Sequence, residues 1–116
     1  MNKILEHYKI NLSTPGGDRA LITAENMWLA QYINDHYELS EANRLLSGID
    51  KVLNGQISEG GGVTQSLQYA VVESQDTKIY KDVDDFMDNP SITPDFVLPT
   101  ADFKVIVEAW RDYLQQ

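Results

Sequence analysis

The chain has 116 residues, no cysteine and a formal charge of −9. This length is near the commonest size of one domain and predicts a single domain over residues 1–116. The lack of cysteine excludes disulfides and thiolate metal sites. An acidic protein repels the phosphates of nucleic acid and of anionic membranes, so the charge favours a basic protein as partner.

No compartment signal is visible in the sequence. The N-terminal residues contain no apolar run long enough for a secretory signal. No stretch approaches the roughly 18 apolar residues that a membrane-spanning helix requires. The sequence therefore predicts a soluble protein of the cytoplasm.

The first predicted element is a β-hairpin. Tyr8, Ile10 and Leu12 lie on one face of a segment with a period of two, which is typical of a half-buried strand. The turn-forming residues of Thr14–Asp18 follow, and Arg19–Thr23 would be the returning strand.

Residues 24–39 fit two structures. Their apolar side chains alternate as in a strand buried on both faces, and they also fit a helical stripe with Thr23 as N-cap. We favour the strand because Trp28, Tyr32 and Ile33 are residue types that strands prefer.

Two segments are predicted as amphipathic helices. The first is Ser40–Asn54, with Ser40 as N-cap and Gly55 as the stop, and Gly48 would permit close approach to a sheet. The second is Thr100–Gln115, with Thr100 as N-cap. Their apolar stripes are Leu45, Leu46, Ile49, Val52 and Leu53 in the first helix, and Phe103, Ile106, Val107, Trp110 and Leu114 in the second. Both tryptophans, Trp28 and Trp110, are predicted to belong to the core.

The remaining segments are predicted as short strands and connections. They are a glycine connector at 59–62, strands at Val63–Glu73, Thr77–Lys81 and Phe96–Leu98, a turn at Gln75–Asp76, and a short helical turn at Val83–Met87. The expected fold class is α+β, an antiparallel sheet packed in two layers against the two amphipathic helices.

The most informative feature for function is an acidic segment. Between Asp82 and Phe103 there is no lysine or arginine, but there are aspartates at positions 82, 84, 85, 88, 95 and 102. Asp82 and Asp84 begin like a calcium loop, yet the required glycine and closing glutamate are missing. We therefore predict no metal site and no cofactor.

Catalytic patterns are equally weak. His7 and His36 lie in different segments, no nucleophile motif is present, and the glycine triplet lacks the lysine of a phosphate-binding loop. The prediction is that the chain is not an enzyme. The acidic segment is then either a solvated loop or a partner-binding face.

As a partner-binding face, the segment would use its charges and an apolar anchor. Of Phe86 and Met87, one would hold the segment against the domain and the other would be an anchor ringed by polar groups, as at interface hot spots. The predicted partner-binding residues are Asp82, Asp84, Asp85, Phe86 and Asp88, with Phe86 as the apolar anchor.

Two segments resemble a known class of proteins. The stretch from Pro99 to Leu114 is similar to the closing helix of many small bacterial immunity proteins, which protect cells from the toxins of contact-dependent growth inhibition and related polymorphic toxin systems. The segment Leu45–Gly55, followed by strands, is similar to the middle of such chains. The resemblance implies a small acidic inhibitor that binds one cognate, basic toxin, often a nuclease, and covers its active site or substrate groove.

Three functions are thus compatible with the sequence. The first is an immunity protein whose acidic face imitates the phosphates that a basic toxin attracts. The second is another interaction module or adaptor for a basic protein, and the third is a small enzyme that uses the aspartates. We favour the first.

Overall fold

The structure is a computed structural model that describes residues 2–116. Over these residues the chain forms five α-helices and six β-strands. The helices are α1 (Lys3–His7), α2 (Met27–Asn34), α3 (Leu39–Leu53), α4 (Val83–Asp88) and α5 (Thr100–Leu114). The strands are β1 (Asn11–Ser13), β2 (Leu21–Thr23), β3 (Gly60–Val63), β4 (Tyr69–Val72), β5 (Asp76–Tyr80) and β6 (Phe96–Pro99).

The strands form two antiparallel sheets. The small sheet is the β1–β2 pair, and the main sheet has four strands in the order β3-β4-β5-β6. Helices α3 and α5 pack together and against the main sheet. The predicted α+β fold, with an antiparallel sheet packed on two amphipathic helices, is confirmed.

The hydrophobic core lies between the main sheet and the helices. Successive strand residues point to opposite faces, and the side that meets the helices carries Ala70, Val72, Ile79 and Leu98. Trp110 is fully buried there, and its Nε1 donates to the carbonyl oxygen of His36 at 2.9 Å.

Both predicted helical stripes are buried except at their ends. In α3 Leu53 is exposed, and in α5 Leu114 is only partly buried. Trp110 is in the core as predicted, whereas Trp28 is partly buried and packs at its margin.

The predicted N-terminal hairpin exists but is shorter. Its strands are β1 and β2, joined through a 3₁₀ turn at Pro15–Gly17. Residues 3–7, for which no element was predicted, form α1, with Asn2 accepting from the Ile4 amide at 2.8 Å. Tyr8 ends this helix, and its hydroxyl donates to Asp102 Oδ2 at 2.7 Å. Burial and the nearby carboxylate raise the pKa of Tyr8 to about 12.

The strand predicted within residues 24–39 is wrong, because this segment contains helix α2. Asn26 is the N-cap in place of Thr23, and its Oδ1 accepts from the amides of Trp28 and Leu29 at 3.0 Å. The amide group of Asn34 then pairs with both backbone groups of Ile22, at 2.8 and 3.0 Å. These bonds tie α2 to the small sheet.

The predictions of a glycine connector at 59–62 and of one long strand from Val63 to Glu73 are also wrong. The glycine triplet is itself part of β3, and the residues predicted as one strand from Val63 to Glu73 turn back to form β4. Gly61 has φ +93°, and a Cβ there would lie 2.4 Å from the Ala70 carbonyl oxygen. Only glycine fits at this position.

The predicted N-caps of the two long helices are wrong. Ser40 is inside α3, whose cap residue Glu38 makes no side-chain capping bond. Thr100 is the first residue of α5, and its buried hydroxyl bonds Thr77 Oγ1 at 2.9 Å and the Glu73 carbonyl oxygen at 2.5 Å. The hydroxyl of Thr100 therefore joins the helix to the sheet.

The predicted strands at Thr77–Lys81 and Phe96–Leu98 are confirmed as β5 and β6. The predicted role of Gly48 in close approach is not confirmed, because a Cβ at Gly48 would meet no atom within 4 Å, and the 3.5 Å distance from a Cβ at Gly60 to the Gly48 carbonyl oxygen is an ordinary contact. Within residues 2–116, no helix combines the length and the apolar character needed to cross a membrane.

Candidate partner-binding surface

The acidic segment begins with helix α4, which confirms the predicted helical turn at Val83–Met87. Asp82 is its N-cap, and Asp82 Oδ1 accepts from the Asp84 amide at 2.9 Å. The amide of Val83 donates to the Leu67 carbonyl oxygen at 2.8 Å, in the turn between β3 and β4. The segment is thus fixed at its start to the main sheet.

Phe86 provides a second attachment of α4 to the main sheet. Its ring is half-buried, with its centroid 4.8 Å from that of Tyr69 and 5.0 Å from that of Tyr80. Tyr80 is buried beneath it, and this burial raises the pKa of its phenol. Phe86 therefore holds the helix on the sheet, whereas Met87 points outward with 63% of its surface exposed.

The six aspartates of the segment differ in what they contact. Asp82 caps α4, Asp95 Oδ2 accepts from the Lys81 amide at 2.8 Å, and Asp102 accepts from Tyr8. Asp84 and Asp88 are exposed and Asp85 is half-buried. The outward charge of the segment is therefore concentrated on Asp84, Asp85 and Asp88, which all lie on α4.

No lysine or arginine of residues 2–116 pairs with an aspartate of α4. The ion pairs among residues 2–116 are Lys9–Glu25, Lys78–Glu73, Lys104–Asp50 and Arg111–Asp112. Three carboxylates on less than two helical turns, without an internal cation, project a negative field away from the domain.

The α4 helix lies on the side of the main sheet that faces away from α3 and α5. We call this side the open face. Val71, Lys78 and Val97 are successive cross-strand partners there, and Val63, Tyr69 and Tyr80 form the next row. Neither Val71 nor Tyr80 belongs to the core cluster on the covered side. Phe86 covers the Tyr69–Tyr80 end of this face.

The predicted site residues are therefore brought together in one helix, but they do not act alike. Asp84, Asp85 and Asp88 are available to a partner, while Asp82 and Phe86 build the helix and fix its position. Sequence reasoning missed the open face beside them, because its residues come from separate strands. The signal that could have found it is the alternation in Thr77–Lys81, where Lys78 and Tyr80 face away from Ile79.

A second concave region lies between α3 and the outer edge of β3. This cleft has a volume of about 320 Å³ and is lined by side chains of both charges, including Asp35, Glu41 and Arg44. His36 also lines it, and its Nδ1 lies 2.9 Å from the Tyr32 carbonyl oxygen. Within residues 2–116, no three acidic or histidine side chains gather in a group that could hold a metal ion.

Comparison with other proteins gives no further guidance to the role of this surface. No protein-family model, no curated protein and no solved structure matches the chain. The resemblance to immunity proteins therefore depends on the sequence segments alone.

Proposed function

We propose that this protein is an immunity protein that binds and neutralises a basic toxin through α4. The observation that supports the proposal most directly is that Asp84, Asp85 and Asp88 have no ion-pair partner within residues 2–116. They occupy a helix that is fixed at both Val83 and Phe86. A charged group held in place without an internal partner is suited to an external one.

The physical advantage of this arrangement is rapid association. A cluster of one sign can raise the rate of encounter with an oppositely charged partner by roughly 10 to 10³-fold. Because α4 is already ordered, little conformational entropy is lost when it binds. Rapid capture suits an inhibitor whose target is lethal while free, and a nuclease surface that attracts phosphates would also attract these carboxylates.

The test is binding kinetics against the protein encoded by the adjacent gene, measured by surface plasmon resonance at two salt concentrations. The test variant is Asp84→Asn, Asp85→Asn, Asp88→Asn, which keeps Asp82 because that residue caps the helix. We expect association to slow by about tenfold and its salt dependence to flatten, with little change in dissociation.

The matched control neutralises three exposed acids elsewhere, Glu6→Gln, Asp18→Asn and Glu38→Gln. This control changes the net charge by the same amount but leaves the three α4 carboxylates in place. We therefore expect a much smaller effect on association than in the α4 variant. Equal slowing by both variants would mean that only total charge matters. Unchanged association of the α4 variant would contradict the proposed function of this helix.

A further inference from the structure

We propose that the partner also docks on the open face of the main sheet, with α4 as the acidic rim of a larger interface. This inference rests on the proposed function and extends it by naming the apolar contacts. The occupant would be a basic protein surface that presents aliphatic side chains surrounded by lysine or arginine.

The first support is the distribution of exposed apolar side chains. Val63 and Val97 are exposed by 57% and 45%, and they occupy the two outer strands of the open face. Leu67 and Met87, exposed by 53% and 63%, lie at the α4 end. Leu67 is next to α4 through its bond to Val83. Exposed apolar side chains that gather on one face of a protein mark interaction sites, whereas scattered ones do not.

The second support is what covers each side of the sheet. The opposite side is closed by α3 and α5, and its residues are buried. On the open face α4 contacts the sheet through Phe86, whose ring lies on Tyr69 and Tyr80. In the row formed by Val71, Lys78 and Val97, Val71 is buried, Lys78 is partly exposed and Val97 is exposed. The side chains that a partner could contact directly on the two outer strands are therefore Val97 and Val63.

The third support is the charge around this face. Asp84, Asp85 and Asp88 lie at one end, and Glu73 and Asp76 lie at the other, at the β4–β5 turn. Lys78, within the face, pairs with Glu73 at 3.2 Å, and this contact raises the pKa of its ammonium group. An apolar strip between two acidic ends is complementary to an apolar contact flanked by cations.

The same charges argue against a second copy of this chain as the occupant. Two open faces placed against each other would bring acidic groups together at the interface, which is unfavourable. The face therefore fits a basic partner better than itself.

The test uses two synthetic ten-residue peptides of equal charge, one alternating lysine with leucine and one alternating lysine with serine. Amide chemical shifts of the ¹⁵N-labelled protein are followed during titration with each peptide. We expect the lysine–leucine peptide to shift amides of β3, β6 and α4, and the lysine–serine peptide to shift those of α4 alone.

The matched variant is Val63→Thr, Val97→Thr, because threonine keeps the shape and the strand preference of valine but replaces a methyl with a hydroxyl. It should bind the lysine–leucine peptide about threefold to tenfold more weakly and the lysine–serine peptide as the unmodified protein does. The control is Leu21→Thr, an exposed residue of the small sheet, for which we expect unchanged affinity.

The outcomes separate the two proposals. Unchanged affinity of the Val63→Thr, Val97→Thr variant for the lysine–leucine peptide, or shifts confined to α4, would overturn docking on the open face and leave the α4 proposal intact. Absence of shifts at α4 with both peptides would overturn both. A dimer in sedimentation analysis that disappears in the double-threonine variant would identify a second copy as the occupant and overturn the inference.

Discussion

The two faces of the main sheet are made by the same strands, yet their residues have different surroundings. On the covered face Ala70, Val72 and Ile79 pack under α3 and α5. On the open face their sequence neighbours Val71 and Lys78 are cross-strand partners, and Val71 lies outside the core cluster. Tyr80, on the same face, lies under the short helix α4. The alternation of the strands thus allows one backbone to supply the core on one side and the proposed docking surface on the other. Residues that stabilise the fold and residues proposed to bind a partner therefore alternate along the same strands and differ in the face to which their side chains point.

Truncating Trp110 should show the largest difference between the faces. Trp110→Ala removes the fully buried indole of α5 and its bond to the His36 carbonyl oxygen. We expect the free energy of unfolding, measured in urea, to fall by about 3–5 kcal/mol, as for other large aromatic residues truncated in a core. The control on the open face is Val97→Ala, for which we expect a change within about 0.5 kcal/mol. A denaturation midpoint for Trp110→Ala equal to that of the unmodified protein would contradict the assignment of this face as the core.

The hydrogen bond between the buried hydroxyls of Thr77 and Thr100 allows a test of one specific contact on the covered face. Thr100→Val leaves the hydroxyl of Thr77 without its partner in a buried site, which should cost about 1–3 kcal/mol in unfolding free energy. Adding Thr77→Val removes the unpaired group as well, so the double variant should lose less than the sum of the two single losses. Strictly additive losses in this double-mutant cycle would show that the two hydroxyls do not interact.

A smaller effect is expected for the residue that holds α4 on the open face. Phe86→Ala removes two aromatic contacts of a half-buried ring, which predicts a loss of about 1–2 kcal/mol. Hydrogen exchange should accelerate at the α4 amides more than in α5. Met87→Ala is the control, since its side chain is mostly exposed and should change stability by less than about 0.5 kcal/mol. Similar exchange in both variants would mean that Phe86 does not fix the helix.

The long helices were predictable because their apolar stripes repeat over several turns. Residues 39–53 and 100–114 have this pattern, and both pack with the main sheet. Their caps were not predictable, because the hydroxyl of Thr100 bonds distant strand residues and not its own helix. A local rule cannot detect a partner that lies far away in the sequence.

The segments that were wrongly predicted fit more than one pattern. Residues 27–34 satisfy a period of two as well as a helical period, and the bonds of Asn26 to the first turn favour the helix. The glycine triplet has no side chains from which a strand could be predicted, and it becomes β3 because it pairs with β4. The first segment is thus decided by a local N-cap, and the second by pairing with a neighbouring strand.

The candidate site was predictable in part. Composition alone located the acidic residues of α4, because a run of acids without a base is visible in the sequence. The division of tasks between Phe86 and Met87 was not, since both are apolar residues in the same helix. The open face required the register of three strands, in particular the pairing of Val71, Lys78 and Val97.

The bonds between the two ends of the described chain have a consequence for how the protein folds during synthesis. Tyr8 bonds Asp102 across 94 positions, and Thr14 bonds Tyr113 across 99. Helix α1 also packs against α5. Most of the sequence must therefore leave the ribosome before the N-terminal hairpin finds its final contacts, and closing such long loops is slow. Until α5 arrives, the part of the covered face that this helix closes is exposed, so the nascent chain depends on α5 for protection from aggregation.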